Sequence, residues 1–177
     1  MFSSDRKPAS GATEALAQAT RNLKDGAVTA GYQGDREDVI RMLNSALATE
    51  LVCILRYKRH YYTVGGRQNA AVKAEFLQHA AEEQGHADLL AERIVQLNGT
   101  PDFNPATLLE RSHAAYDDSD GVEAMISANL IAERTAIEAY REMIKRLGDG
   151  DPTTRAMLVH IMGMEEEHAE DLRSMLF

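Results

Sequence analysis

The sequence predicts an all-α protein: an antiparallel four-helix bundle with a long crossover between its second and third helices. Three observations carry this expectation. Four long stretches repeat apolar residues at intervals of three and four, the period of a helix with one buried face. Gly, Pro or Asn stands at their ends, where helices stop or start. A chain of 177 residues with only 4 Pro and no Trp lacks the composition of a small, turn-rich β-fold.

Residues 1–35 are rich in Ser, Ala, Thr and Gly and close with Gly26, Gly31 and Gly34. We expect a flexible N-terminal extension here, in which roughly 12–24 can form a short helix. The bundle, 36–177, follows. Its first helix runs over about 36–64, with Val39, Ile40, Leu43, Leu47, Leu51 and Ile54 on one face and Gly65-Gly66 as its stop. The second covers about 68–97 and ends at Asn98-Gly99, with Pro101 beyond. Residues 98–119 cross the bundle, and TLLERSHAAY within them adds a helical turn or two. The third helix spans about 120–147, from a capping region at Asp118-Ser119-Asp120 to Gly148, and carries Met125, Ile126, Leu130, Ile137, Met143, Ile144 and Leu147. The fourth starts after Asp151-Pro152, with proline in a natural first-turn position, and runs almost to Phe177. Helices of ~28 residues are about 40 Å long.

Composition narrows the function classes. The length suits one domain with a substantial core. A net charge of −9 works against nucleic acid as a partner and suits a protein that attracts cations. A single Cys excludes an internal disulfide framework. No apolar run approaches the ~20 residues that span a bilayer, and MFSSDRKPASG has no apolar core of a signal peptide. We therefore expect a cytoplasmic protein without a membrane.

A weak internal repeat carries the chemistry. Leu47, Glu50 and Tyr57 in the first helix match Leu130, Glu133 and Tyr140 in the third, with identical offsets. Glu83-x-x-His86 in the second matches Glu165-x-x-His168 in the fourth. Residues three apart on a helix share a face, so each Glu-x-x-His is a ready pair of metal ligands. Glu50 and Glu133 sit among apolar neighbours, where an unpaired carboxylate is costly. One Glu from each of two helices and Glu-x-x-His from each of the other two is the composition of a two-metal carboxylate bundle. Four carboxylates balance two divalent ions, and oxygen and imidazole donors suit iron or manganese, with zinc also compatible.

On these residues the stretch 38–177 resembles bacterioferritin and the wider ferritin-like superfamily. LNSALATELVCILRY is similar to the family's first helix, EEQGHADLLAERI to its second, LIAERTAIEAY to its third and MEEEHAEDL to its fourth. The resemblance implies Glu50 and Glu133 as terminal ligands, Glu83 and Glu165 as bridging carboxylates, and His86 and His168 as one imidazole per metal. It also implies Tyr57 beside the centre, mirrored by Tyr140. The implied activity is that of a ferroxidase, oxidising Fe2+ with O2 or H2O2 and storing iron inside a hollow homo-oligomer. Two departures shape this expectation. Gln84 stands where bacterioferritin has a haem-ligating Met, so no haem is expected. Only nine residues follow His168, too few for the family's fifth helix, which favours a twelve-subunit shell of the Dps-like mini-ferritin type.

Rival readings are a di-iron or di-manganese peroxidase or catalase without storage, and a Dps-like DNA-protecting shell. A rubrerythrin-type Cys₄ iron site cannot be built from one Cys. The N-terminal arm, with Arg6, Lys7, Arg21 and Lys24 against Asp5, Glu14 and Asp25, is a poor match for DNA. Cys53 is expected in the core, and Glu166 and Glu167 on the surface. His79, with Glu75 and Glu82, extends a polar stripe along the second helix; a solvated face is expected, with guidance of iron towards the site as the alternative. His60 and His113 carry no pattern.

Overall fold

The computed structural model describes residues 10–21 and 23–177. In chain order the helices are α1 (Ser10–Ala19), α2 (Arg36–Thr63), α3 (Ala70–Gln96), α4 (Leu108–Arg111), α5 (Val122–Leu147) and α6 (Pro152–Leu176). The four long ones are those that the apolar periodicity predicts, within two residues at each end.

Their ends follow local chemistry. The Asp35 carboxylate accepts a hydrogen bond from the Asp38 N–H at 3.1 Å, and Glu37 and Asp38 set negative charge against the positive end of α2. α3 ends where Asn98 takes a left-handed φ of 62° and the Gly99 N–H reaches back to the Ile94 carbonyl at 2.9 Å. A Cβ at Gly99 would lie 2.9 Å from the Ile40 side chain, so this turn also lets α2 and the end of α3 approach closely. The start of α5 differs from the expected cap. Asp117 takes the Ser119 N–H and hydroxyl at 3.0 and 3.1 Å, closing its own turn, and Gly121 at φ 95° swings the chain into the helix.

α2 packs on α3 and α5 on α6, and the two hairpins join along α2–α5 and α3–α6. The crossover holds α4 against α2. It is fastened there by Arg111, which donates to the Asn44 carbonyl at 3.2 Å, and by the His113 N–H, which donates to the Thr49 hydroxyl at 2.9 Å. A crossover of this length returns the chain to the far end of the bundle, so α5 runs antiparallel to α2.

Two larger apolar clusters fill most of the interior. One, towards the start of α2, includes Leu43, Leu47, Leu90, Ile94, Tyr140, Leu158 and Ile161. The other, towards the end of α2, includes Tyr57, Phe76, Met125, Ile126 and Leu172. Burial of each such side chain is worth about 1.5–3 kcal/mol relative to exposure. The layer between the clusters is polar.

The extension expected over 1–35 falls partly on residues 1–9 and 22, which lie outside the described residues. The short helix occupies Ser10–Ala19 rather than 12–24, and its residues 11–19 are exposed. Nearer the bundle the chain docks. Val28 is buried in the larger cluster, and Tyr32 donates to Asp151 at the start of α6 at 3.0 Å. Among the described residues no helix is long and apolar enough to cross a membrane.

Candidate metal centre

The polar layer is where helical periodicity and burial conflict. α2 supplies Glu50, α3 Glu83 and His86, α5 Glu133, and α6 Glu165 and His168. None of the six is more than 4% exposed. Glu83 and Glu165 lie at the heart of the group. His86 Nδ1 stands 2.9 Å from Glu83 Oε2, 3.0 Å from Glu165 Oε1 and 3.7 Å from Glu50 Oε2. His168 Nδ1 lies 3.5 Å from Glu83 Oε1 and 3.5 Å from Glu165 Oε2. The donors therefore form two groups, Glu50–Glu83–His86–Glu165 and Glu83–Glu133–Glu165–His168, each with its ligand atoms within 4.8 Å of one another. Glu83 and Glu165 belong to both.

Crowding four carboxylates out of water perturbs every proton. Burial, then the charges of Glu165 and Glu83, push Glu50 well above the usual carboxylate range. Burial, then Glu83 and Glu165, do the same to Glu133. Burial also works to raise Glu83, yet the His168 and His86 rings beside it hold it well below that range. Burial opposes a charge on the two candidate-ligand histidines, but the carboxylates of Glu165 and its neighbours close beside them push His86 up to about 12 and His168 up to about 11. Protons thus stand in for positive charge, and they do so imperfectly. Glu83 Oε1, Glu133 Oε2, both Glu165 oxygens and His168 Nδ1 are buried without a hydrogen-bond partner. Each such atom costs about 1–3 kcal/mol, and together they outline the place of a cation. A purely structural ion network is a weaker account, since it leaves these atoms unsatisfied and gains little over apolar packing.

Two tyrosines brace the centre from opposite hairpins. The Tyr57 hydroxyl donates to Glu133 and the Tyr140 hydroxyl to Glu50, so each tyrosine serves the carboxylate of the other half of the repeat. Arg56, fully buried, lies 4.0 Å from Glu133 and donates to Asn129 at 2.8 Å and to the Ala115 carbonyl at 3.1 Å. Asn129 also pairs with His60 Nδ1 at 3.0 Å. Sequence reasoning passed over Arg56, Asn129 and His60, because nothing along the chain signals a polar side chain facing inward.

The solvated stripe expected for His79 is corrected by the fold. The ring is buried, its Nδ1 lies 3.0 Å from the Tyr57 hydroxyl, and it stacks on His168 with centroids 4.1 Å apart. Burial, then the charge on His168, lower it to about 3. Its spacing, seven residues or two turns before His86, was the available signal. Cys53 is in the core, Glu166 and Glu167 are exposed, and His113 Nδ1 lies 3.0 Å from the Thr49 hydroxyl.

Comparison with known proteins shows the family. The family model of a ferritin-like domain fits residues 40–176. The nutrient stress-induced DNA-binding protein of Synechococcus sp. is 31% identical over 131 residues, covering 72% of this chain and 74% of that one. Bacterioferritin of Desulfovibrio desulfuricans is 29% identical over 140 residues, covering 76% and 74%. Among solved structures, the bacterioferritin-related protein of Bacteroides fragilis, described as a dodecameric thioferritin, is 34% identical and superposes with a TM-score of 0.76 over 80% of this chain and 86% of that one.

Proposed function

We propose that this chain, which belongs to the ferritin-like family, is a ferroxidase that binds two Fe2+ as substrate between Glu50, Glu83, His86, Glu133, Glu165 and His168. The observation that carries the reading is the sharing of Glu83 and Glu165 between two donor groups, with unpartnered donor atoms turned into the same space. Beside bacterioferritins and Dps proteins, the chain has an iron-storage or protection role in the broad sense.

The residues divide the work. Glu83 and Glu165 would hold both irons together, Glu50 with His86 completing one position and Glu133 with His168 the other. Oxygen and imidazole donors suit Fe2+, and four carboxylates balance two divalent ions and stabilise the Fe3+ formed. Each Fe2+ gives up one electron, and O2 or H2O2 accepts the pair. Tyr57 and Tyr140 keep Glu133 and Glu50 turned inward, as outer hydrogen bonds do for metal ligands. The apolar clusters on either side limit the entry of bulk water.

We further read the chain as a cytoplasmic homo-oligomer of twelve subunits that stores the oxidised iron. The dodecameric relative from Bacteroides fragilis, at 34% identity, supports that number. Manganese or zinc would fit the same donors. Gln84, exposed and hydrogen-bonded to Asp88 at 2.9 Å, offers no sulfur ligand, so the reading includes no haem.

A second reading, a DNA-protecting shell, is favoured by the name of the Synechococcus relative and opposed by the net charge of −9. The deciding experiment adds Fe2+ in air and follows ferric absorbance, with Glu50→Ala as control. Equal rates in the two proteins would sink the ferroxidase assignment. Size-exclusion chromatography tests the shell, and a gel shift at low salt tests DNA binding.

A further inference from the structure

A second donor cluster lies where α3 faces α6, outside the six residues of the centre. His79 Nε2 stands 3.2 Å from Glu75 Oε1 and 4.0 Å from Asp171 Oδ2. One ligand atom from each of the three lies within 4.8 Å of the others. The two carboxylates reach solvent, but the His79 side chain is only 1% exposed. Its Nε2 points into the cluster without a hydrogen-bond partner.

The opposite ring nitrogen decides what Nε2 is. His79 Nδ1 lies 3.0 Å from the Tyr57 hydroxyl, which is itself bonded to Glu133. A phenol has a single hydrogen to donate. That hydrogen goes to Glu133, to which the hydroxyl donates. The Tyr57 oxygen then accepts, and Nδ1 of His79 carries the ring hydrogen. Nε2 of the neutral ring is left as a bare lone pair facing two carboxylates. Three metal-ligating atoms thus converge, the buried one without a partner. A cation among them is attracted to both carboxylates and to the ring nitrogen.

We propose that Glu75, His79 and Asp171 form a divalent-cation site separate from the paired centre, coupled to Glu133 through the hydrogen bonds His79–Tyr57–Glu133. The coupling rests on the reading of Glu133 as an iron ligand. One imidazole and two carboxylates, completed by water, suit Zn2+, Mn2+ or Fe2+. A histidine that holds metal on one nitrogen and donates its other N–H to a neighbour is the usual way such a ring is oriented. Because the chain of bonds ends on a carboxylate of the centre, a cation outside fixes the donor that Glu133 sees inside.

The test is anaerobic soaking of full-chain crystals in zinc chloride, with anomalous scattering measured at the zinc edge. Wild type is expected to show three zinc positions per chain, the third bonded to His79 Nε2. Asp171→Asn and Glu75→Gln, both at the surface, are expected to lose the third position and keep the other two. In solution, Glu133→Gln is expected to weaken zinc binding at the third position roughly tenfold. Zinc in the centre and none at His79 overturns the outer site and leaves the ferroxidase reading standing. Zinc at His79 and none in the centre supports the outer site and sinks that reading. A third zinc that survives both surface substitutions overturns the ligand assignment, and an unchanged affinity in Glu133→Gln overturns the coupling.

Discussion

The hydroxyl of Tyr57 donates a hydrogen bond to Glu133, a carboxylate 76 residues further along the chain and on the other hairpin. Tyr140 returns the same bond to Glu50. Each half of the internal repeat therefore supplies the hydrogen bond to the other half's buried carboxylate.

Removing one of these hydroxyls tests whether the brace matters to chemistry or only to packing. Tyr57→Phe keeps the ring in its apolar cluster but leaves the Glu133 oxygen without its donor. Iron oxidation is expected to slow by roughly 10–100-fold, with a change in thermal midpoint of only a few degrees. Tyr140→Phe is expected to do the same through Glu50. Stopped-flow absorbance and calorimetry on both variants measure the two effects, and full wild-type rates would remove the tyrosines from the mechanism.

Metal should stabilise the fold through the centre. A cation that binds only the native state at about 100 times its Kd adds about 2.7 kcal/mol. In a chain of this size that raises the unfolding midpoint by roughly 5–10 °C. Mn2+ is expected to produce the shift in wild type, and Glu165→Ala to abolish it, because Glu165 serves both donor groups. A calorimetric scan with and without Mn2+ decides.

Acid sensitivity is expected at the start of α6. Asp151 is buried, which works to raise its carboxyl, but Thr154, Arg93 and Tyr32 hydrogen bonds hold it below the usual range. A depressed folded value means that the stabilisation is complete above the unfolded value of about 3.9 and fades as pH falls through the folded one. Asp151→Ala is expected to cost about 3 kcal/mol near neutral pH, from a lost cap and a buried Arg93 left unpaired. The gap to wild type should narrow below about pH 4. Urea unfolding at two pH values checks the sign.

Cys53 should be chemically silent in the native protein. Burial pushes its thiol well up, and the sulfur accepts a bond from Arg56 at 3.2 Å. Alkylation is expected to require unfolding, and Cys53→Ala to oxidise iron at the wild-type rate while losing roughly 1 kcal/mol of stability. Rapid labelling of the folded protein by iodoacetamide would contradict this.

Much of the candidate centre was legible because its grammar is local. Glu83 with His86, and Glu165 with His168, share a helix face at any three-residue spacing, whatever the rest of the chain does. Glu50 and Glu133 were visible as carboxylates inside apolar runs, a local conflict that only a buried partner resolves. Arg56, Asn129, His60 and His79 were not legible in this way. Each is buried by a neighbouring helix, and no residue next to it in the chain records that neighbour's approach.

The sequence by itself determined four amphipathic helices, their stops, and two copies of a Glu and Glu-x-x-His pattern, since periodicity and turn chemistry act over a few residues. Only the tertiary structure decided that each tyrosine reaches the opposite carboxylate, that Glu83 and Glu165 face each other, and that His79 lies under α6 rather than in water. The physical reason is the crossover. By returning the chain to the far end, it sets α5 antiparallel to α2 and fixes which faces meet, a relation between residues some eighty positions apart that no local spacing can specify.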